Sequence, residues 1–227
     1  MNRLLLPITL AIAIFAGAAH GNIVTFAKLT GTTVGSLPGT AVYEADLTVS
    51  GIGTLLTIEI LDNSAGIGGA GGQFSGFDLD AIKLSTTDCS DAGCAATAPG
   101  LNLFNFISGI SFTPGVQRAP AAPKLFGTGP TGSTVDDLIA TLGVFDGENT
   151  TVTPDGFLSM GDNGRLLFTL TSSISTVGLH LYIGEVGDNG EVAASSVRIN
   201  STTVPEPATL ALLGLGLAGL GFSRRKQ

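Results

Sequence analysis

Tryptophan is absent from this chain of 227 residues, and tyrosine and histidine each occur only twice. With Tyr43 and Tyr182 as its only tyrosines, the chain has little of the aromatic platform that is common in sugar-binding sites. Cysteine and histidine form no cluster with metal-binding spacing. His20 lies near the start of the chain. His180 stands in the apolar run 179–182, where we interpret it as a strand residue and not as a base or a ligand.

Sequence motifs of catalysis are missing as well. The chain contains no G-x-S-x-G and no glycine-rich phosphate loop with a lysine. The adjacent carboxylates of Asp136 and Asp137 could act as general acids in principle. Their place at the start of a predicted helix explains them more simply, because acidic side chains favour that end of the helix dipole. The sequence therefore predicts a protein that is not an enzyme.

Basic residues are scarce, with 10 Lys and Arg against 18 Asp and Glu. Four of the ten lie at the two ends of the chain: Arg3, Arg224, Arg225 and Lys226. The middle is therefore strongly acidic, which excludes nucleic acid as a partner, because phosphate binding requires basic patches. An acidic domain remains compatible with divalent cations.

Residues 1–21 have the three parts of a secretory signal peptide. Arg3 supplies the positive start, Leu4–Ala16 is apolar, and small residues follow. Cleavage is predicted after Ala18 or after Gly21. We expect residues 22–203 to form one exported domain, because the basic residues at both ends favour the cytoplasmic side.

The C-terminal residues 204–227 consist of three different pieces. An extended strip comes first, because each proline fixes its own φ angle and restricts the residue before it; the strip is Val204, Pro205, Glu206 and Pro207. The uncharged stretch 208–222 follows, and the chain then ends in a basic stop of Arg224, Arg225 and Lys226. A helix over 208–222 would measure roughly 22 Å, short of the roughly 30 Å hydrocarbon core. We therefore predict a transmembrane helix that anchors the chain temporarily; a marginal permanent anchor is the alternative.

This tail resembles the PEP-CTERM sorting signal in the order and spacing of all three pieces. Exosortases, membrane-embedded cysteine transpeptidases of Gram-negative bacteria that make exopolysaccharide, read that signal. The resemblance implies an exosortase as partner, transient anchoring in the inner membrane, and cleavage at or near Pro205–Pro207. It implies delivery to the cell envelope or the extracellular matrix, and it gives no activity.

Cys89 and Cys94 are the only two cysteines. An even number of cysteines in an exported chain favours a disulfide, and four intervening residues with one glycine can close the ring. So small a ring removes little chain entropy, so we expect it to hold one local turn. A redox-active pair is the alternative, although the spacing is not C-x-x-C.

The body of the chain has the pattern of short strands. Residues 41–49 alternate apolar and polar side chains, and residues 54–61 place Leu56, Ile58 and Ile60 on one face. The glycines between these segments predict a hairpin over 41–61. Further strands are predicted at 23–29, 77–84, 101–112, 165–171, 179–184 and 192–199, and one short helix at 135–142. This pattern predicts an all-β fold, an antiparallel β-sandwich with a jelly-roll-like outline.

Several acidic residues allow two interpretations. Asp162 and Asp188 belong to two Gly-Asp-Asn-Gly tetrads, which are strong hairpin-turn signals. Asp78 and Asp80 alternate with apolar residues, which indicates the solvent face of a strand. The alternative is that these four side chains supply oxygen ligands to calcium. No EF-hand spacing supports that alternative, so no cofactor is predicted and calcium is kept as the second interpretation.

Three classes of function follow. The favoured one is a non-catalytic surface or matrix protein that an exosortase delivers and processes. The second is a carbohydrate-binding or calcium-dependent adhesive module, with exopolysaccharide as its partner. A hydrolase is the third, and it lacks a recognisable set of catalytic residues.

Overall fold

The computed structural model describes residues 22–33, 39–51, 53–63, 66–145, 147, 156–191 and 197–200. These residues form two five-stranded sheets in which every strand pairing is antiparallel. Helical structure in the described part is limited to α1 (Ala92–Thr97) and two short 3-10 turns, Thr48–Ser50 and Gly72–Phe74. The predicted all-β class is confirmed.

The strands divide between two sheets that we name sheet A and sheet B. Sheet A contains β1 (Asn22–Val24), β4 (Thr54–Leu61), β6 (Ile110–Thr113), β8 (Arg165–Ser175) and β10 (Val197–Asn200), in the order β1-β10-β4-β8-β6. Sheet B contains β2 (Ala27–Thr32), β3 (Thr40–Asp46), β5 (Asp78–Ser85), β7 (Leu158–Ser159) and β9 (His180–Val186), in the order β2-β3-β9-β5-β7.

One hydrophobic core receives side chains from both sheets. From sheet A it takes Leu55, Ile58, Ile60, Phe112, Leu166 and Phe168, and from sheet B it takes Ala45, Leu79, Ile82, Leu84, Leu181 and Ile183. The expected partner of Ile58 and Ile60 was Leu56, but a register shift between Leu55 and Thr57 places Leu55 in the core instead. An inserted residue in one strand changes which side chains share a face, so strict alternation fails there.

Sheet B is covered on its other face as well. A second cluster combines Val42, Ala81 and Tyr182 of the sheet with Ala92 and Ala95 of α1. A register shift between Leu79 and Ile82 separates Ala81 from Leu79, so these two residues lie in different clusters. The central strands of sheet B are therefore buried on both faces.

The predicted hairpin over 41–61 is wrong. The two segments do form strands, but β3 belongs to sheet B and β4 to sheet A. Gly51 and Gly53, with φ of 68° and 76°, lie in a connection that carries the chain from one sheet to the other. The alternation of a half-buried strand does not say which sheet the strand joins, so the error arises from topology and not from strand propensity.

Two further predicted elements are corrected. Of the expected strand 101–112, only the last three residues belong to a strand of the sheet, which runs Ile110–Thr113. The expected helix 135–142 is not formed: the Asp136 N–H donates to Gly127 O at 2.9 Å, and Ile139 O accepts from the Gly156 N–H at 2.7 Å. The backbone of this segment is thus bound to two neighbouring loops, and such tertiary contacts override a weak helix propensity.

The two Gly-Asp-Asn-Gly tetrads are turns, but neither joins the two strands of a hairpin. Asn163 and Asp188 adopt positive φ angles of 64° and 44°, as the turn interpretation requires. The strands that flank each tetrad lie in different sheets, β7 and β8 in one case and β9 and β10 in the other. The tetrads therefore reverse the chain between sheets.

Both terminal predictions lie outside the described residues. These are the signal peptide 1–21 and the tail 204–227, with its motif, its transmembrane helix and its basic end. Within the part that the structure describes, no helix combines the length and the apolar character that crossing a membrane requires.

Candidate functional site

Acidic side chains lie buried in and around sheet B. Asp78 is 4% exposed, Asp80 and Glu185 are fully buried, and Glu191 is 1% exposed. The prediction that Asp78 and Asp80 occupy a solvent face is therefore wrong. The physical reason is the covering of the outer face of the sheet, which a period of two in the sequence cannot show.

Hydroxyl groups satisfy the two aspartates of β5. Thr40 Oγ1 donates to Asp80 at 2.5 Å, and Ser159 Oγ donates to Asp78 at 2.5 Å. The backbone N–H of Gly147 also donates to Asp80, at 3.3 Å. Buried polar groups of this kind are tolerated when they are hydrogen-bonded, so these contacts give both aspartates a structural role.

Arg118 is the cation of this buried network. Its Nη2 donates to Glu191 Oε1 at 3.0 Å, and its Nε lies 3.3 Å from Asp162 Oδ1. Its Nη1 donates to the carbonyl oxygen of Gly68. The Arg118 side chain is 20% exposed and that of Glu191 is fully buried, so the pair is shielded from solvent. Arg118 thus connects the segment after β6 to the glycine-rich loop before β5 and to the turn after β9.

Asp62 fixes the first tetrad to the start of β5. One carboxylate oxygen accepts the N–H of Phe77 and the other accepts the N–H of Asn163, both at 2.8 Å. The Asp62 N–H also donates to Gly164 O at 2.9 Å. A single buried aspartate therefore holds the end of β4, the start of β5 and the tetrad together.

Glu185 differs from the other members because neither of its carboxylate oxygens has a hydrogen-bond partner in the described part of the chain. Burial, followed by the negative charges of Glu191 and Asp188, raises the pKa of Glu185 to about 8. The Asp188 backbone N–H, which lies outside normal hydrogen-bond geometry, and the Lys28 ammonium lower this pKa by less. The Glu185 side chain is therefore largely protonated at neutral pH.

Two neighbours of Glu185 shift in the same direction. Burial raises the pKa of Glu191 to about 7, although the Arg118 guanidinium opposes the shift. Burial also raises the pKa of Asp78 well above its usual range, and the charges of Glu191 and Glu185 add to this effect. These carboxyl groups therefore keep their protons in the folded protein at pH values at which ordinary carboxyl groups are ionised.

The four calcium candidates all contact other protein groups. Asp188 pairs with Lys28 and Asp162 with Arg118, while Ser159 and Thr40 satisfy Asp78 and Asp80. None of the four belongs to the group of three residues that the described part of the chain brings within metal-binding reach, which is Glu44, Asp88 and His180. Calcium binding at these aspartates remains a sequence-based alternative that the local geometry does not favour.

His180 begins β9, as the interpretation of it as a strand residue predicted. Its Nδ1 lies 2.6 Å from Glu44 Oε1 of β3, across the paired strands of sheet B. Sequence reasoning missed this contact because the two residues are 136 positions apart. A signal was nevertheless present: a polar side chain at the start of an apolar strand requires a partner when it is buried.

The predicted disulfide is confirmed, with the sulfur atoms of Cys89 and Cys94 lying 2.14 Å apart. The ring leads into α1, whose first turn is capped by the Asp91 carboxylate accepting the Cys94 N–H at 2.8 Å. The Cys89 N–H donates to the Tyr182 hydroxyl at 3.0 Å. The disulfide therefore joins α1 to the segment before it, and the Cys89 N–H attaches that segment to the outer face of sheet B.

A groove of about 670 Å³ lies beside two phenylalanines, Phe104 and Phe106. Their rings stack with centroids 5.6 Å apart and planes 12° apart, and both meet Phe168 edge-on. Polar groups also line the groove, from Asn102, Asn105, Asp137, Thr141 and Thr171. Stacked aromatic rings and amide groups side by side suit a ligand that has both apolar and hydroxyl faces.

Comparison with known proteins bears on the end of the chain. The family model of the PEP-CTERM protein-sorting motif matches residues 203–226. The chain carries a PEP-CTERM sorting signal. The resemblance drawn from the tail is thereby confirmed, and the signal implies export and exosortase-mediated sorting to the cell surface. The comparisons with curated proteins and with solved structures found no match.

Proposed function

We propose that this PEP-CTERM protein is a non-catalytic surface or matrix protein. The chain crosses the inner membrane, is anchored there briefly by its C-terminal helix, and is then processed by an exosortase and passed to the cell envelope or the extracellular matrix. The match to the sorting motif at residues 203–226 is the observation that carries this proposal. The core shared by the two sheets supports a β-sandwich of jelly-roll-like outline as the exported body.

The buried network supports a structural role for the charged residues of the body. Arg118, Asp62, Asp78 and Asp80 each contact backbone or hydroxyl groups that fix loops and strands. Groups that serve catalysis need access to a substrate, whereas these side chains are covered by the fold. We therefore propose that these residues stabilise the fold and take no part in catalysis.

Alanine substitution of Pro205, Glu206 and Pro207 tests the proposed route. We expect the variant to remain in the inner-membrane fraction, because the processing motif is lost while the hydrophobic stretch and basic end stay intact. Cell fractionation and surface labelling would measure this, with Ser201→Ala/Thr202→Ala as the control that leaves the motif whole. Surface delivery equal to that of the parent chain would contradict the proposal.

A carbohydrate-binding module is the second candidate function, and the groove beside Phe104 and Phe106 is the observation that favours it. Tryptophan is absent and tyrosine is scarce, so the sequence offered little aromatic surface for a sugar. The fold supplies such a surface by stacking two phenylalanines that are two positions apart. The proposed ligand of such a module is the exopolysaccharide of the host.

Phe106→Ala is expected to weaken binding of the host exopolysaccharide roughly tenfold, or about 1.4 kcal/mol, because the groove loses half of its stacked pair. Asn102→Ala, an exposed change on the rim, should weaken binding without affecting the core. Phe26→Ala is the matched control outside the groove. Affinity electrophoresis measures the binding of exopolysaccharide with and without chelator. A calcium-dependent adhesive would lose its binding when chelator is present. The second function is excluded if the parent chain binds in neither condition.

A further inference from the structure

The outer face of sheet B brings together one histidine and two carboxylates from three separate parts of the chain. Glu44 comes from β3, His180 from β9, and Asp88 from the segment between β5 and the disulfide ring. One ligand atom of each residue lies within 4.8 Å of the other two. His180 is 9% exposed, whereas Asp88 is exposed, so the group is open to solvent on one side.

The charges of this group are not balanced by the surrounding protein. Among the described residues, no ion pair joins a lysine or an arginine to Glu44 or Asp88. The Asp88 side chain makes no hydrogen bond or ion pair within the same part of the chain, and the Glu44 carboxylate makes hydrogen-bond contacts there only with His180 and Tyr182. A cation bound between the two carboxylates and the imidazole would offset the repulsion between the two negative charges.

The Tyr182 hydroxyl holds Asp88 in place from both sides. It donates to the carbonyl oxygen of Thr87 at 2.7 Å and accepts the N–H of Cys89 at 3.0 Å. It also lies 3.5 Å from Glu44 Oε1. One side chain thus fixes the residues before and after Asp88 and contacts a second carboxylate of the group, which keeps the three ligand groups together before any ion arrives.

We propose that Glu44, Asp88 and His180 form a binding site for one zinc ion. An imidazole nitrogen and carboxylate oxygens are ligands that zinc accepts, and three protein ligands leave a fourth position for water. Calcium is disfavoured because it requires six or more oxygen ligands. Tetrahedral bonds of about 2.1 Å place ligand atoms roughly 3.4 Å apart. Zinc binding therefore requires that His180 Nδ1 and Glu44 Oε1, which lie 2.6 Å apart, separate slightly, and that the exposed Asp88 moves towards the ion.

Zinc titration by calorimetry tests the site on the untagged full-length protein, purified in detergent and stripped with chelator. We expect one zinc ion per chain, with at least tenfold weaker binding in Asp88→Asn and in His180→Gln. Tyr182→Phe keeps every ligand but loses the hydroxyl that positions Asp88, so its affinity should fall by roughly tenfold. Asp137→Asn, an exposed carboxylate outside the site, should bind as tightly as the parent.

Cobalt binding, followed by visible absorption, is a second measurement that does not rely on calorimetry. The parent chain should give the visible absorption of a four-coordinate cobalt ion, and Asp88→Asn should lose it while its circular dichroism stays unchanged. Equal zinc affinity in the parent and in Asp88→Asn would overturn the proposal, as would a parent chain that binds no zinc. Calcium competing with zinc at equal concentration would also overturn it, because the site would then prefer a hard cation.

Discussion

Arg118→Met is expected to lower the free energy of unfolding by about 3–5 kcal/mol at pH 8. The change leaves Glu191, whose side chain is fully buried, and Asp162, whose side chain is 12% exposed, without their cation. It also removes the donor to the Gly68 carbonyl oxygen. Breaking one side of a buried ion pair costs this much because the remaining charge is neither solvated nor paired. Chemical denaturation of the full-length protein in detergent measures the loss.

The matched control is Arg165→Met. Arg165 pairs with Glu59 on the surface, and the Arg165 side chain is 48% exposed. An exposed pair contributes about 1 kcal/mol or less, so this variant should unfold close to the parent. Adding Glu191→Gln to Arg118→Met should restore part of the loss, because the second change removes the unpaired charge. Equal losses for Arg118→Met and Arg165→Met would show that the buried network does not stabilise the fold.

The parent protein is expected to lose stability as the pH rises from 5 to 8. The pKa of Glu185 is about 8 in the folded protein, whereas an ordinary glutamate has a pKa near 4.5. Over this window the folded state keeps a proton that the unfolded state has released. The stabilising effect is complete below about pH 4.5 and is lost as the pH passes 8. Each unit of difference between the folded and unfolded pKa corresponds to about 1.4 kcal/mol, so Glu185 alone accounts for a few kcal/mol of the lost stability.

Glu185→Gln separates this effect from general acidity. Glutamine keeps the neutral form at every pH, so the variant should show a flatter stability curve and exceed the parent at pH 8. Glu191 and Asp78 titrate in the same direction, which leaves a smaller residual slope. The exposed Asp137→Asn serves as control and should follow the parent. Thermal unfolding between pH 5 and 8 is the measurement; a parent curve that rises over this range contradicts the account.

The strands were predictable from local pattern, but their partners were not. Period-two alternation found the segments that form β3 and β5, because side chains of a strand point alternately to two faces. It failed at Leu55, where a register shift changes the face, and at Asp78, where the second face is covered. The covering of sheet B by α1 could not be predicted, because no local sequence pattern shows where this helix and its disulfide ring pack.

The site residues depended even more on distant contacts. Arg118 reaches Gly68 over 50 positions and Glu191 over 73, and no spacing rule joins such residues. One signal was available at β9, since its near-continuous apolar run is typical of a strand buried on both faces. That reading would have placed Glu185 in the interior. The sorting motif, in contrast, was recognisable from the sequence because its three pieces are contiguous, and the family model matches residues 203–226.

Mass spectrometry of the C-terminus, in host cells with and without an active exosortase, tests the central claim most directly. The account predicts that the chain ends at or near Pro205–Pro207 when the enzyme is active, and that residues up to Gln227 remain when it is absent. An intact C-terminus carrying Arg224, Arg225 and Lys226 in cells with the active enzyme would contradict it.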